Sequence, residues 1–536
     1  ARVEKLTRAG AWGCETLHGL LARHAEKRPE RLAVTDQPNR DELTGDATRS
    51  LSWSELEQDS ENLACQLQDA GVEAGLPLLV QLPNVVELLV VYYAASKMGA
   101  IVSPVPVQYG RHELRSLADV LGARVVLSMP RLRDTELAAT AREALPDARI
   151  LVFGEDLVVD TTAGAGVCRR AAEDANRVLS ICWTSGTTGT PKGVPRSHNM
   201  WLATGRYSAA AGSYVADDVL LNPFPLVNMA ALGGFLFPSA LLGCAIVLHH
   251  PLDPPLFLRQ MQEEQVSFTI APPALLNQLA KSPELWGQFD FSALRRVGSG
   301  SAPLAPWMIE TFSRDYGKEV VNFYGSNEGI ALFATPETAP DPEVRASMFP
   351  RPAPDATTAT KVADPESGQE VTAAGERGEL LISGATVFDG YLEHDNSDVF
   401  TADGFFRTGD LVEICGEGGN YYRIVGRCKD IINRGGMKIS PAELDVALEQ
   451  HPDLLEAAVC AFPDERLGER ICACLVPQPD RSPPELPALQ EYLLERGFAR
   501  FKLPERIALF DRLPRNPLGK VQRFALQDAI TTRQEK

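Results

Sequence analysis

Residues 184–193 read Thr-Ser-Gly-Thr-Thr-Gly-Thr-Pro-Lys-Gly and directly follow an apolar run at residues 178–183. The apolar run predicts a buried strand. The hydroxyls and backbone N–H groups that follow it can converge on phosphate oxygens, and Lys192 adds positive charge. Because glycine has no side chain, it lets the main chain approach such a ligand closely. The sequence therefore predicts a phosphate-binding loop at the end of this strand.

This loop differs from the ordinary P-loop of nucleotide-binding proteins. A P-loop has glycine before its lysine and a hydroxyl residue after it, whereas Pro191 and Gly193 occupy those positions here. The pattern therefore does not predict a GTPase or a P-loop kinase. On composition alone, a plain surface loop is the alternative interpretation.

Length and composition predict a soluble enzyme with two or more domains. The chain has 536 residues, 44% of them hydrophobic and 23% charged, with a net charge of -19. Such an acidic chain does not suit broad binding to nucleic acid or to an anionic membrane. Charged residues interrupt its most apolar segment, residues 78–105, so we expect no membrane span. The ten scattered cysteines lack metal-site spacing and indicate reduced thiols in a cytoplasmic protein.

Alternation of apolar runs and helical patterns predicts an α/β fold. The first third of the chain predicts helices at residues 51–70 and 87–98 and strands at residues 77–82 and 101–105. A second such series starts near residue 219. We therefore expect two sheet-and-helix subdomains and a small β-barrel-like subdomain, which together form a domain at residues 1–426. A small mobile α+β domain is predicted at residues 427–536.

Four further motifs carry charged or aromatic residues next to glycine. They are VNFYGSNEG at 321–329, RTGD at 407–410, GRCKD at 426–430 and RLPRNPLGK at 512–520. Tyr324 could stack on a base, and Glu328 could hold a magnesium ion against phosphate oxygens. Alone, the motif at 321–329 is equally typical of a surface turn, whereas the other three are more typical of a turn, a solvated charge run or an inert tail.

In this order, TSGTTGTPKG, YGSNEG, FRTGD, GRCKD and PRNPLGK resemble the motifs of the adenylate-forming superfamily. That superfamily contains acyl- and aryl-CoA synthetases, adenylation domains of peptide synthetases, and luciferases. The resemblance covers nearly the whole chain. It implies a carboxylic acid substrate, which attacks Mg-ATP to give acyl-adenylate and pyrophosphate before a thiol takes the acyl group.

The resemblance also implies roles for individual residues. The β- and γ-phosphates are assigned to Thr184, Ser185, Gly186, Thr187, Thr188, Gly189 and Lys192, and magnesium is assigned to Glu328. The rest of the ATP site is assigned to Gly300, Ser301, Ala302, Tyr324, Gly325, Asn327, Asp410 and Arg427. Lys520 would bridge the acid and the α-phosphate, which makes Lys520, Glu328 and Lys192 the catalytic set. Because Lys520 serves only the first step, the small domain would rotate between steps about Lys429.

Two asparagines depart from the pattern of the family. Asn327 stands where threonine usually precedes the magnesium glutamate, and its amide could still donate to phosphate. Asn228 stands in a histidine position of the segment that lines the acid pocket, which is assigned to Asn228, Met229, Gly300 and Gly325. That segment has no aspartate to pair with an α-ammonium, so amino acids are disfavoured as substrates.

The favoured hypothesis is a ligase that joins an apolar aliphatic, alicyclic or aromatic acid to coenzyme A. The main alternative keeps the first step and loads the phosphopantetheine of a carrier protein. Asn228 favours this alternative, because its amide could bond a ring hydroxyl. A non-catalytic nucleotide-binding protein and a luciferase-like oxygenase are weaker alternatives. The sequence leaves open the identity of the acid and whether the chain forms a homodimer.

Overall fold

The computed structural model describes residues 2–159, 167–184, 191–300, 304–353, 357–435, 437–464, 466–516 and 519–532. The chain divides into two compact units. The N-terminal unit comprises Ala1–Thr360 and Ile382–Phe406, and the C-terminal unit comprises Lys361–Leu381 and Arg407–Lys536. The sequence-based boundary between residues 426 and 427 stays a prediction.

Two sheets with mostly parallel strands form the centre of the N-terminal unit. The larger sheet has eight strands in the spatial order Ala331–Ala334, Glu319–Gly325, Arg296–Gly300, Phe268–Ile270, Val219–Asn222, Ala245–Leu248, Leu32–Thr35 and Ser50–Ser52. The smaller sheet has six strands in the order Lys192–Ser197, Val178–Thr184, Ile101–Pro104, Pro77–Gln81, Val125–Ser128 and Arg149–Val152. Antiparallel pairing occurs at both edges of the larger sheet and at the Lys192–Ser197 edge of the smaller one.

Helices connect and cover these strands. The α-helices of the unit are Arg2–Arg8, Leu17–Lys27, Arg40–Thr44, Trp53–Asp69, Val86–Met98, Arg111–Leu121, Leu137–Ala144, His198–Gly212, Met229–Ala231, Phe237–Leu242, Pro254–Glu263, Pro273–Lys281, Pro283–Trp286, Pro306–Tyr316 and Pro342–Ser347, with a π-helical turn at Leu232–Leu236. Short strands lie at Arg131–Leu132, Thr135–Glu136 and Met348–Pro350. None of the helices in the described ranges is long and apolar enough to cross a membrane.

The apolar segment at residues 78–105 folds as predicted into a strand, a helix and a strand. Every residue of the helix Val86–Met98 is buried, including Lys97. The Lys97 ammonium lies 2.8 Å from a carboxylate oxygen of Glu57 and 3.1 Å from one of Glu61. A buried charge is tolerated when it is paired in this way.

The helix predicted from residue 51 begins later, at Trp53. Residues 50–52 pair instead with the strand Leu32–Thr35. The Ser52 side chain accepts the N–H of Glu55, and the Glu55 carboxylate accepts the N–H of Ser52. This capping box sets the helix start, because it satisfies N–H groups that lack a partner within the helix.

The C-terminal unit is built largely from antiparallel strands. Four strands that lie wholly or partly in this unit are neighbours in one sheet, where the small barrel-like subdomain is predicted: Thr358–Ala363, Arg377–Gly384, Phe406–Cys415 and Tyr421–Arg427. A second sheet contains Met437–Ile439, Ile432–Arg434, Gly468–Pro477, Leu454–Asp464 and Arg506–Leu509. The helices are Pro441–Leu448, Leu486–Glu495 and Arg523–Thr532, with 3-10 turns at Glu417–Gly419 and Arg500–Lys502. All ten cysteines of the chain are free thiols.

His198 links the helix that it begins to the N-terminal part of the chain. Its side chain is fully buried, and its Nδ1 accepts the N–H of Leu17 at 3.2 Å. Burial lowers the pKa of His198 to about 3, and the positive charge of Arg177 adds to this effect. The folded protein therefore holds this imidazole neutral, whereas an unfolded histidine takes up a proton near pH 6.5.

We expect this histidine to contribute to acid sensitivity. Its stabilising contribution is complete above about pH 6.5 and is lost as the pH falls, by up to about 1.4 kcal/mol per pH unit. His198→Asn keeps an acceptor for Leu17 and removes the titrating group, so its melting temperature should fall less between pH 7 and pH 5 than that of the unaltered protein. The control is the same change at exposed His112. Parallel pH dependence of the His198 variant and the unaltered protein would contradict the expectation.

Candidate active site

The predicted phosphate loop is closed at its base by two antiparallel strands. Val178–Thr184 pairs with Lys192–Ser197, and Thr184 stands directly opposite Lys192. Val178–Thr184 is buried along most of its length, and the indole of Trp183 donates to the Ser103 hydroxyl at 2.9 Å. The strand predicted from the apolar run is thus present, and both ends of the loop are fixed. The intervening residues Ser185, Gly186, Thr187, Thr188 and Gly189 lie outside the described residues, so their roles stay predictions.

Lys192 contacts a segment that sequence reasoning missed. Its Nζ lies 2.9 Å from Nε2 of His394 and 4.7 Å from the centroid of the Tyr391 ring. An ammonium can only donate, so Nε2 of His394 is the acceptor in this contact. The ring face of Tyr391 adds a cation–π attraction.

Tyr391 also holds the predicted magnesium ligand. Its hydroxyl donates to Oε1 of Glu328 at 3.0 Å, and Glu328 is only 9% exposed. The segment that carries Tyr391 is itself anchored, since the N–H of Leu392 donates to the carbonyl of Gly193 at 2.9 Å. One aromatic ring therefore brings together Lys192 and Glu328, which are far apart in the sequence.

Gly329 allows the chain to pass close to its neighbour immediately after Glu328. Its φ is +114°, and a Cβ at this position would lie 2.1 Å from the carbonyl oxygen of Thr386. The Thr386 hydroxyl also donates to the carbonyl of Gly329 at 2.7 Å. Only glycine fits this conformation and this distance. The final glycine of the YGSNEG motif therefore keeps the carboxylate of Glu328 next to the segment of Tyr391.

Asn327 and Arg196 form the buried support behind these groups. The Asn327 side chain donates to the Trp183 carbonyl at 3.1 Å and accepts the N–H of Met229 at 2.8 Å. The guanidinium of Arg196 donates to the Asn327 carbonyl at 2.8 Å and is fully buried. Burial lowers the pKa of Arg196 to about 9, so it remains cationic at neutral pH. The amide of Asn327 thus serves the framework, and its predicted contact with phosphate stays a prediction.

The residues assigned to the acid pocket lie close to this support. Asn228 caps the helix Met229–Ala231, because its side chain accepts the N–H of Ala231 at 3.3 Å. A Cβ added at Gly325 would lie 3.8 Å from Cγ of Met229. The π-helical turn that follows, Leu232–Leu236, is a geometry often found at functional sites.

The adenine side of the predicted site lies at the carboxyl ends of two parallel strands. Gly300 pairs with Phe323, and a Cβ at Gly300 would lie 2.1 Å from the Phe323 carbonyl oxygen. Only glycine therefore fits at residue 300. Tyr324 is half-buried and its ring lies 5.5 Å from that of Phe349. Ser301 and Ala302 fall outside the described residues.

The remaining predicted residues lie in the C-terminal unit. Asp410 is buried and stands opposite Arg427, whose Nε donates to its Oδ1 at 3.0 Å. Lys429 and Lys520 are exposed. The N–H of Lys520 donates to the Asn516 side chain at 2.9 Å, and the Lys520 carbonyl accepts the N–H of Asn516 at 2.8 Å. Lys520 therefore projects from a closed turn.

The fold and these motifs define an AMP-binding, adenylate-forming enzyme. The model of the AMP-binding enzyme family matches residues 21–392, and that of the AMP-binding enzyme C-terminal domain matches residues 443–520. The chain therefore belongs to the AMP-binding enzyme family. ATP and magnesium are typical of this family.

Known relatives extend over almost the whole chain. An indoleacetate–CoA ligase of Aromatoleum aromaticum is 31% identical, with 95% of this chain and 97% of the relative covered. A salicyl-AMP ligase/salicyl-S-ArCP synthetase of Mycobacterium tuberculosis is 30% identical, with 97% and 91% covered. The crystal structure of ATP-bound MatB from Rhodopseudomonas palustris is 27% identical with a TM-score of 0.81, and 96% of this chain and 99% of that chain are covered. The predicted family and α/β fold class are confirmed.

Tyr391→Phe should weaken catalysis while it preserves the ring beneath Lys192. The substitution removes the hydrogen bond to buried Glu328, and hydrogen bonds to charged groups contribute about 1.5–3 kcal/mol. We expect kcat/KM for ATP in acid-dependent pyrophosphate release to fall about tenfold or more, with a rise in the magnesium concentration needed for half-maximal rate. Tyr207→Phe removes a hydroxyl that bonds Thr358 in the same unit and is the matched control. Equal effects of the two substitutions would refute a specific role for Tyr391.

Proposed function

We propose that this enzyme couples an apolar aliphatic, alicyclic or aromatic carboxylic acid to AMP and then transfers the acyl group to coenzyme A. In the first step a carboxylate oxygen attacks the α-phosphorus of ATP, and pyrophosphate leaves. In the second step a thiol sulfur attacks the acyl carbon, and AMP leaves. The meeting of Lys192 and Glu328 at the Tyr391 ring carries the proposal, because it pairs a phosphate-binding cation with a carboxylate suited to magnesium.

The residues present fit a magnesium ion that is shared with substrate phosphates. Within the described ranges there is no cluster of three or more side chains able to hold a metal by themselves. Magnesium commonly binds through one or two carboxylates together with phosphate oxygens, and Glu328 offers such a carboxylate beside the base of the phosphate loop. Bound there, the ion would neutralise phosphate charge. Lys192 would orient the β- and γ-phosphates.

Four residues of the C-terminal unit have roles in the proposed reaction: Asp410, Arg427, Lys429 and Lys520. The carboxylate of Asp410, oriented by Arg427, would accept hydrogen bonds from the ribose hydroxyls. Lys520 would lie between the incoming carboxylate and the α-phosphate. Its charge would offset their repulsion as they meet, which stabilises the transition state more than either ground state. Lys429 would be the hinge that moves the domain at residues 427–536 between the two steps.

The composition of the acid pocket favours an apolar acid. Residues 229–234 are Met-Ala-Ala-Leu-Gly-Gly and supply no charge for an α-ammonium group. CoA as acceptor is supported by the indoleacetate–CoA ligase among the relatives. A phosphopantetheine carrier protein is the alternative acceptor. It is supported by the salicyl-S-ArCP synthetase and by Asn228, whose amide N–H groups could serve a ring hydroxyl.

A panel of carboxylic acids, scored by pyrophosphate release from ATP, tests the proposal. We expect turnover with one or more apolar acids and none with amino acids. The best acid is then supplied with either CoA or a phosphopantetheinylated aryl carrier protein, and the thioester is identified by mass spectrometry. Thioester on CoA supports the main proposal, and thioester only on the carrier supports the alternative. Absence of pyrophosphate release across the panel would instead favour a non-catalytic nucleotide-binding protein.

Lys520→Ala should separate the two half-reactions. We expect acid-dependent pyrophosphate release to fall by about a hundredfold to a thousandfold, which is the scale of losing one preorganised stabilising group at the reacting centre. Thioester formation from supplied acyl-adenylate should stay within a few-fold of the unaltered rate. Exposed Arg512 lies nearby in the chain, and Arg512→Ala is the control for lost charge alone. Equal loss of both half-reactions in the Lys520 variant would contradict the assigned role.

A further inference from the structure

Asn228 and Asn327 converge on the first turn of one helix. The side chain of Asn228 accepts the N–H of Ala231, and that of Asn327 accepts the N–H of Met229. The first N–H groups of a helix have no partner within it. Two side chains, nearly a hundred residues apart in sequence, therefore cap the helix that begins the predicted acid pocket.

The side chain of Asn327 also makes a hydrogen bond on the side away from this helix, toward the phosphate loop. Its Nδ2 donates to the carbonyl of Trp183, which directly precedes Thr184 at the base of the phosphate loop. Its own backbone carbonyl accepts a hydrogen bond from buried Arg196, and Glu328 is the next residue in the chain. A single amide thus connects the strand before the phosphate loop to the start of the acid-pocket helix.

The chemistry of an amide suits this bridge better than that of a hydroxyl. An asparagine amide accepts through its oxygen and donates through its nitrogen. Threonine has a shorter side chain, and its single hydroxyl must serve both purposes. Asn327 is 8% exposed, so a bond lost here is poorly replaced by water. Leaving a buried partner unsatisfied costs about 1–3 kcal/mol.

We infer that Asn327 is a positioning residue that sets the place of the acid-pocket helix relative to the phosphate strand. The inference rests on the proposed function and adds a determinant of acid binding to it. Asn327 acts through Met229 and Trp183, and Asn228 reinforces it by capping the same turn. Weakening the bridge should therefore disturb binding of the acid more than binding of ATP.

Steady-state kinetics of Asn327→Thr tests this expectation with ATP and the best acid from the panel. We expect the KM for the acid to rise about fivefold or more, whereas the KM for ATP changes by less than about twofold. Asn322→Leu is the matched control, because Asn322 is buried on the strand that precedes Asn327, Glu319–Gly325, and its side-chain amide bonds only the carbonyls of Arg345 and Ala346 among the described residues. The control should lower the melting temperature without raising the KM for the acid more than the KM for ATP.

Hydrogen–deuterium exchange provides a readout that does not require turnover. Asn327→Thr should accelerate exchange of a peptide that covers residues 226–236 several-fold, because the N–H of Met229 loses its acceptor. Asn322→Leu should leave that peptide unchanged. Unaltered exchange in the Asn327 variant would overturn the inference, as would a KM for ATP that rises as much as the KM for the acid. If no acid is turned over, the proposed function fails, and the exchange experiment still decides whether the bridge exists.

Discussion

The hydrogen bonds of the buried Arg196 guanidinium are the interactions on which the site depends most. Its nitrogens donate to the carbonyls of Asn327 and Met200 and to the Thr204 hydroxyl, and it lies 4.3 Å from the Trp201 ring centroid. A guanidinium that is removed from water needs partners of this kind. Because Arg196 belongs to the strand that starts at Lys192, its bonds fix that strand against the segment that carries Glu328.

This framework explains how an acidic protein can present a site for a polyanion. The chain has 71 acidic and 52 basic residues, so its overall charge opposes nucleotide binding. Two cations, Lys192 and Arg196, lie on the strand that follows the phosphate loop. Lys192 is held by the His394 ring and by the face of Tyr391, and neither of these brings a negative charge to the ammonium.

Local patterns in the sequence predicted the scaffold well, because strands and helices depend on near neighbours. The strand predicted at residues 77–82 is Pro77–Gln81, and the helix predicted at residues 87–98 is Val86–Met98. Tyr391 and His394 were missed because their contacts are not local. Tyr391 lies 63 residues from Glu328, and His394 lies 202 residues from Lys192. The two hydrogen bonds of the Asn327 side chain could not be predicted either, because nothing in the sequence places Trp183 and Met229 on either side of it.

The backbone bonds of Lys520 have a consequence for the catalytic role that is proposed for this lysine. Reciprocal bonds with Asn516 order the backbone of this lysine when the domain folds. The main chain thus loses its conformational entropy once, during folding, instead of in every catalytic cycle. In that proposed role, a lysine on a loose tail would face a higher entropic barrier at each turnover.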